Sequence, residues 1–312
     1  MHDNDPRNAA EITLLEDSVW ASDLAVALDA ELSGPDVPIA GVGTYGSRVR
    51  HSLSYQISPS HVEEEVERAV LCSPDTAASI SASTRLIVQD PRAAFMRFLS
   101  KAKPDWEKTT ALQAERMAVC SGTYEAHRTA LIEEGTVIAG GVLIEPYAVI
   151  RRGTIIGDNT IIASGSIVGA HGPAVHKCVD GRVLSWARIH FGTVQMGRNC
   201  ELGSHAVVLK AMLGRTRISD HVILGNMVHI GHGADIGDRA WMAASVTVCG
   251  HAFIDCDVSI GAGATIRDNV RIGAGASVGM GSVVVGTVRP GTSVLGGPAK
   301  ETGQSFQSGP QL

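Results

Sequence analysis

Aliphatic side chains recur at every sixth position in three blocks between residues 132 and 284. A helix repeats its apolar positions every 3.6 residues and a half-buried strand every second residue, so neither period accounts for this pattern. A six-residue period predicts a parallel β-helix, in which each hexad forms one short strand and one turn and three hexads close a triangular coil. The repeat occupies 22 positions in three blocks: Ile132, Ile138, Ile144, Ile150, Ile156, Ile162 and Val168; Met196, Leu202 and Val208; Ile218, Leu224, Ile230, Ile236, Met242, Val248, Ile254, Ile260, Ile266, Ile272, Val278 and Val284.

Two interruptions of this period fall at residues 169–195 and 209–217. They predict segments that loop out of the prism, where functional residues concentrate. Lys210 and Arg215 lie in the second interruption, either as contacts to a diphosphate or as solvated cations. Within the regular blocks, glycine often follows the aliphatic residue directly and permits the backbone dihedrals of the turn.

The first 115 residues lack the six-residue period and have the helix and strand signals of an α/β domain. A capping box at Ser60 and Glu63 begins the second predicted helix, and Pro91 opens the third. We therefore predict an α/β domain over residues 1–115 with a linker helix following, a β-helix over 120–297 and a short tail over 298–312. The predicted elements are helices at Asp17 to Ala30 with Trp20, Leu24 and Leu28 on one face, at Ser60 to Cys72, after Asp90, and near Lys108 to Val119, and strands at Val37 to Val42 and Leu86 to Val88.

Composition and charge narrow the functional classes. The chain has 35 glycines but only 4% aromatic residues, which suits a narrow core of Ile and Val. The net charge of −6 and the scattered basic residues argue against a nucleic-acid partner. No apolar run approaches the roughly 18–20 residues of a transmembrane helix, and the N-terminus lacks the pattern of a signal peptide. Six cysteines without a C-x-x-C pair predict a cytoplasmic protein with reduced thiols.

The repeat resembles that of the hexapeptide-repeat acyltransferases. The resemblance implies a left-handed winding of the β-helix and a homotrimer with active sites between adjacent prisms. Two N-terminal stretches, from Gly41 to Pro59 and from Asp90 to Phe95, resemble the nucleotide-binding domain of the UDP-3-O-acylglucosamine N-acyltransferases of lipid A biosynthesis. This family implies a nucleotide-linked amino sugar as acceptor and a thioester donor, either acyl carrier protein or acyl-CoA, with no tightly bound cofactor.

Two histidines flank Ile230 in the segment His229-Ile230-Gly231-His232. Because Ile230 points inward by the repeat, both histidines face outward. In the family that this chain resembles, the position of His232 holds the general base, and neutral imidazole suits the removal of a proton from an attacking amine. The alternatives are an exposed histidine without a role and a metal site. We predict no metal site, since no third ligand is evident.

The resemblance also implies binding residues. The Gly250 N–H is a candidate donor to the oxyanion, and His251 is a candidate contact to the acyl donor. Tyr55 occupies the position of the aromatic residue of the uracil pocket, while Ser58 and His61 replace its Asn and Tyr. The alternative for Tyr55 is a ring of the hydrophobic core. We also assign His229 and Asn269 to substrate binding; Asn269 replaces the second histidine of the family's active site. Gly225 replaces the aspartate that usually orients the base.

The segment from Gly286 to Lys300 resembles the closing Pro-Gly…Gly-x-Pro-Ala-Lys sequence of acetyl-CoA-dependent hexapeptide enzymes. The resemblance implies that Lys300 approaches a phosphate of the donor; the alternative is a cap for the last coil. Two other functions remain open from the sequence. One is an acetyl-CoA-dependent N-acetyltransferase of another amino sugar or small amine. The other is a non-catalytic β-helix that binds a sugar nucleotide.

Overall fold

The computed structural model describes residues 12–43, 50–56, 67–80, 82–178, 180–186 and 189–296. Residues 12–87 contribute a six-stranded sheet of order β1-β3-β4-β5-β6-β2. Its four central strands run parallel, and β1 and β2 pair antiparallel at the two edges. The strands are β1 Ile12–Trp20, β2 Glu31–Ser33, β3 Pro38–Gly43, β4 Ser52–Tyr55, β5 Ala69–Cys72 and β6 Thr84–Ile87.

Four helices accompany this sheet: α1 Ala21–Leu28, α2 Pro74–Ala77, α3 Pro91–Leu99 and α4 Trp106–Arg116. The prediction of α3 is confirmed, and the side chain of Asp90 caps it by accepting a hydrogen bond from the Ala93 N–H. The predicted helical face with Trp20 is wrong in part, because Trp20 ends β1 and is 51% exposed. Residues 60–66 of the predicted helix at Ser60 to Cys72 lie outside the described residues. The prediction is wrong at its end, where the apolar run at residues 69–72 is the buried strand β5.

The second part of the chain is the predicted parallel β-helix. Its strands are β7 Glu125–Ala126, β8 Leu131–Ile132, β9 Val137–Ile138, β10 Leu143–Ile144, β11 Val149–Ile150, β12 Thr154–Ile156, β13 Ile161–Ile162, β14 Ile167–Ala170, β15 Ala174–Lys177, β16 Val183–Trp186, β17 Thr193–Met196, β18 Glu201–Leu202, β19 Val207–Leu209, β20 Arg215–Ile218, β21 Ile223–Leu224, β22 His229–Ile230, β23 Asp235–Ile236, β24 Trp241–Met242, β25 Thr247–Val248, β26 Phe253–Ile254, β27 Ser259–Ile260, β28 Thr265–Ile266, β29 Arg271–Ile272, β30 Ser277–Val278, β31 Val283–Val284 and β32 Ser293–Val294. All except the β15–β16 hairpin belong to three parallel sheets of nine, eight and seven strands.

The six-residue repeat forms the core of this β-helix. A strand pairs with the strand 18 residues later in the regular coils, as Val149 does with Ile167, so three hexads make one coil. Of the 22 aliphatic positions, 21 are buried, and the remaining one, Ile132, is partly buried and packs against the same core. The inward stacking predicted from the period is therefore confirmed.

Both interruptions of the repeat leave the prism and pack against the N-terminal sheet. The first forms the antiparallel hairpin β15–β16, and the second forms the turn between β19 and β20. Apolar side chains from both join one buried cluster with residues of α1, α3 and the sheet: Ala174, Ile189 and Phe191, with Trp186, Met212 and Leu213 partly buried beside them. The N-terminal region and the β-helix thus share a hydrophobic core.

Helix α4 connects the two parts through polar contacts. The Gln113 amide nitrogen donates to the carbonyl of Ile12, while its oxygen accepts hydrogen bonds from Thr193 Oγ1 at 2.7 Å and Gln195 Nε2 at 3.1 Å. These atoms are buried, so each hydrogen bond avoids the cost of an unpaired polar group. None of the described helices combines the length and apolar character that a membrane crossing requires.

Candidate active site

His232 lies in the turn that follows β22, at a corner of the β-helix. The same corner of the next coil holds Gly250, and the His251 N–H donates to the carbonyl of His232 at 2.9 Å. A Cβ added to Gly250 would lie 2.8 Å from His232 Nε2, so the imidazole ring packs directly against the glycine backbone. The absence of a side chain at position 250 leaves room for the ring.

Four histidine rings form a continuous row at this corner. His171 and His190 come from the two ends of the first interruption, and His232 and His251 come from successive coils. The ring centroids of His171 and His190 are 5.8 Å apart, those of His190 and His232 are 5.9 Å apart, and those of His232 and His251 are 4.9 Å apart. Each pair meets edge to face, an arrangement that aromatic rings favour.

Burial keeps the central rings of this row neutral. It lowers the pKa of His190 to about 4, with smaller effects from His171, His232 and Lys210. Burial also lowers the pKa of His232, and the charges of His251 and Arg92 act in the same direction. A neutral imidazole can accept a proton, so His232 is in the protonation state that a general base requires at neutral pH.

No carboxylate among the described residues accepts a hydrogen bond from the His232 ring, although the charge of Asp268 opposes the lowering of its pKa. Gly225 occupies the position at which the resembling family has an aspartate, and within the described residues the buried Nδ1 of His232 has no hydrogen-bond partner. The ring is held instead between those of His190 and His251. The Gly250 N–H likewise has no acceptor in the described part of the chain, so this donor is available to a ligand beside the ring.

The other predicted residues lie at various distances from this corner. His229 is on β22, between Val207 and Thr247 on neighbouring strands, and burial lowers its pKa. Asn269 is exposed one coil beyond His251; its N–H donates to the carbonyl of Gly250 and its side chain donates to Asp268.

The remaining predicted binding residues belong to the N-terminal sheet or the end of the chain. Tyr55 is half-buried at the end of β4, where its ring centroid lies 5.1 Å from that of Phe95. Ser58, His61 and Lys300 lie outside the described residues, as does the predicted tail. The three predicted contacts to uracil therefore remain predictions.

The structure adds residues that sequence reasoning did not assign to the site. Arg92, on the first turn of α3, brings a positive charge close enough to affect His232. His171 and His190 extend the row into a cleft of about 360 Å³, which is also lined by Phe191, Trp106 and the segment after α3. Their position inside an interruption of the repeat was the one sequence signal that could have found them.

Lys210 does not contact solvent or a diphosphate in the way the sequence suggested. Its side chain is fully buried, its Nζ donates to the carbonyl of Arg152 at 2.6 Å, and the ammonium lies 4.2 Å from the ring centroid of Trp106. Burial lowers its pKa to about 7. Lys210 thus joins the second interruption to α4 and the β-helix.

Comparison with known proteins finds similarity over part of the chain. The profile described as bacterial transferase hexapeptide, with six repeats, matches residues 135–170. Among curated proteins, the chain is similar to UDP-3-O-acylglucosamine N-acyltransferase from Delftia acidovorans, with 34% identity over 80 residues, which cover 25% of the chain and 24% of the relative. UDP-3-O-acylglucosamine N-acyltransferase 2 from Legionella pneumophila is 39% identical over 110 residues, which cover 35% of the chain and 32% of the relative. The resemblance predicted from the sequence is confirmed.

The matches span less than a third of these relatives' length. Among solved structures, the chain is similar to UDP-N-acetylglucosamine O-acyltransferase from Moraxella catarrhalis, with 26% identity and a TM-score of 0.44. The match covers 56% of this chain and 72% of the Moraxella catarrhalis chain. It is also similar to GDP-perosamine N-acetyl transferase from Caulobacter crescentus, solved with CoA and GDP-perosamine, with 16% identity, a TM-score of 0.30 and coverage of 75% and 85%.

Proposed function

We propose that this chain is an N-acyltransferase that transfers an acyl group from a thioester to the amine of a nucleotide-linked amino sugar. The observation that carries the proposal is the half-buried His232 ring, whose pKa is lowered and which packs against Gly250. The Gly250 N–H has no acceptor among the described residues. A base and an oxyanion donor side by side are what acyl transfer requires. The N-acyltransferase activity named for the curated relatives supports the same reaction.

In this reaction the sugar amine attacks the thioester carbonyl carbon while His232 accepts a proton from the amine. The carbonyl oxygen becomes an oxyanion, and the Gly250 N–H donates to it. Collapse of this intermediate breaks the C–S bond, and the departing thiolate takes up the proton held by His232. The products are an amide and a free thiol, and the histidine returns to its neutral state.

We infer that the α/β domain over residues 1–115 holds the nucleotide and that the donor binds beside Gly250 and His251. The proximity of Arg92 to His232 supports this arrangement, because it brings a cation of the N-terminal region to the site. Acyl carrier protein and acyl-CoA are both candidate donors. We assign the reaction to the cytoplasm, since all six cysteines are free thiols and reduced thiols are typical there.

We further propose a homotrimer. One face of the nine-stranded sheet carries exposed apolar side chains on strands β10, β13, β21 and β24, with Glu201 of β18 between them. They are Leu143, Ile161, Ile223 and Trp241, each between 37% and 46% exposed. A second copy covering this face would remove these four side chains from water, and exposed apolar patches often mark such contacts.

The test compares His232→Ala with the matched control His221→Asn. His221 is exposed in the turn after β20, at the position that Gly233 has in the turn of His232, and its φ of 59° is one that asparagine tolerates. Thiol release is followed with UDP-linked amino sugars as acceptors and with long-chain acyl carrier protein or acetyl-CoA as donors. We expect His232→Ala to lose roughly 10²-fold or more of the activity and His221→Asn to keep it.

Wild-type turnover of a small amine with acetyl-CoA would favour the acetyltransferase alternative. Binding of the sugar nucleotide without turnover with any donor would favour the scaffold alternative.

A further inference from the structure

Asp90, His176 and Cys178 form a compact cluster outside the candidate active site. One ligand atom from each lies within 4.8 Å of the corresponding atoms of the other two. His176 Nε2 is 3.1 Å and 3.0 Å from the two carboxylate oxygens of Asp90. These residues come from two distant parts of the sequence: Asp90 precedes α3, while His176 and Cys178 belong to the β15–β16 hairpin.

The backbone holds all three side chains in place. His176 and Cys178 are two residues apart along the first arm of the hairpin, so their side chains leave on the same face. The Cys178 N–H donates to the carbonyl of Arg182 at 2.7 Å, which closes the hairpin below the thiol. Asp90 is fixed as the cap of α3 through its contact with the Ala93 N–H at 2.9 Å.

The site is sheltered but accessible. Cys178 is buried, whereas the side chains of His176 and Asp90 are 15% and 20% exposed. One side of the cluster therefore faces water, which leaves room for a fourth ligand from solvent.

We propose that Asp90, His176 and Cys178 bind a divalent transition metal ion of the zinc type. Thiolate, imidazole and carboxylate are the three ligand types that Zn²⁺ takes in proteins. At metal–ligand distances of about 2.0–2.3 Å, ligand atoms of a tetrahedral site are roughly 3.3–3.8 Å apart, so side-chain movement on the order of 1 Å closes this cluster on one ion. Water completes the coordination.

The ion would join the hairpin to α3. Since α3 also carries Arg92, whose charge acts on His232, a metal here fixes the position of the first interruption relative to that helix. This is a structural role, and it stands whether or not the chain is an acyltransferase.

The test is metal binding by the full chain after dialysis against a chelator. Co²⁺ replaces Zn²⁺ as a spectroscopic probe, because a cysteine ligand gives a thiolate-to-cobalt charge-transfer band. We expect a saturable band at one equivalent of Co²⁺, bleached by Zn²⁺, and a rise in the thermal unfolding temperature with either ion.

Three variants assign the site. Cys178→Ser removes the thiolate with little change in volume, and we expect the band and the thermal shift to disappear. His176→Asn keeps a hydrogen-bond donor towards Asp90, and we expect it to weaken Co²⁺ binding by more than the roughly 10–100-fold typical of changes outside the ligand set. Cys120→Ser changes an exposed thiol elsewhere and should bind as the wild type does. Absence of the band in the wild type, or its persistence in Cys178→Ser, would overturn the proposal.

Discussion

Replacing Gly250 by alanine tests the geometry of the candidate site with a single methyl group. The new Cβ would lie 2.8 Å from Nε2 and 2.9 Å from Cε1 of His232, whereas ordinary contact begins at 3.4 Å. The imidazole must therefore move by about 0.6 Å, because the glycine backbone is fixed in the coil. A displacement of about 1 Å at a reacting group costs on the order of 10²-fold in rate, so we expect kcat for acyl transfer to fall roughly 10-fold to 100-fold.

The substitution leaves the other properties of the corner intact. Gly250 does not have a positive φ, so alanine is compatible with its backbone, and its N–H remains as an oxyanion donor. Gly→Ala at a compatible position stabilises a protein by about 0.4–1 kcal/mol through the unfolded state. Because displacement of the half-buried His232 ring opposes this gain, the free energy of unfolding should change by less than about 1 kcal/mol while the rate falls.

The assay pairs steady-state thiol release with NMR of the histidine side chains. Gly286→Ala is the matched control, since Gly286 occupies the equivalent corner two coils later and an added Cβ there meets nothing within 4 Å. The double variant Gly250→Ala/His232→Ala should be no slower than His232→Ala alone, because Gly250 acts through the ring. A Gly250→Ala variant with wild-type kcat and unshifted His232 resonances would refute the reasoning.

Three further outcomes follow from buried and exposed groups. Because the pKa of His190 is about 4 when folded and near 6.5 when unfolded, the free energy of unfolding should fall by about 3 kcal/mol as pH drops from 6.5 to 4, measured by urea denaturation, and His190→Gln should lose less. The pKa of Lys210, lowered to about 7, predicts that the same free energy rises by a few kcal/mol between about pH 7 and 10, and a Lys210→Met protein that kept this rise would contradict the assignment. If the apolar face forms a trimer, Trp241→Arg should yield smaller species in sedimentation velocity, while Val283→Arg, on another sheet, should not.

The β-helix could be predicted from the sequence because its core repeats. Each hexad places an aliphatic side chain at the same inward position, so the signal given by a residue such as Ile254 or Ile260 recurs throughout the regular blocks. The N-terminal elements lack this redundancy. The apolar run at residues 69–72 is short. Whether it forms a helix or a strand depends on its pairing with β4 and β6, which lie elsewhere in the sequence. Local propensity alone could not decide between the two.

The candidate site was only partly predictable for the same physical reason. The outward position of His232 can be predicted, because this residue lies two positions after the inward-pointing Ile230 in a regular coil. His190 and Arg92 approach it through the interrupted segment and α3, neither of which has a period that fixes its path. The cluster of Asp90, His176 and Cys178 depends on the same docking, which brings together residues 86 positions apart.

The shared core has a consequence for engineering chimeras of this architecture. Ile189 and Phe191 are fully buried against the N-terminal sheet although they belong to the sequence of the prism. A fragment that ended at residue 115 would expose the surface they cover, and a prism without its two interruptions would offer that fragment no partner. A chimera that exchanges the N-terminal region between related proteins must therefore exchange both interruptions as well. Three separate segments of the sequence have to be transferred together.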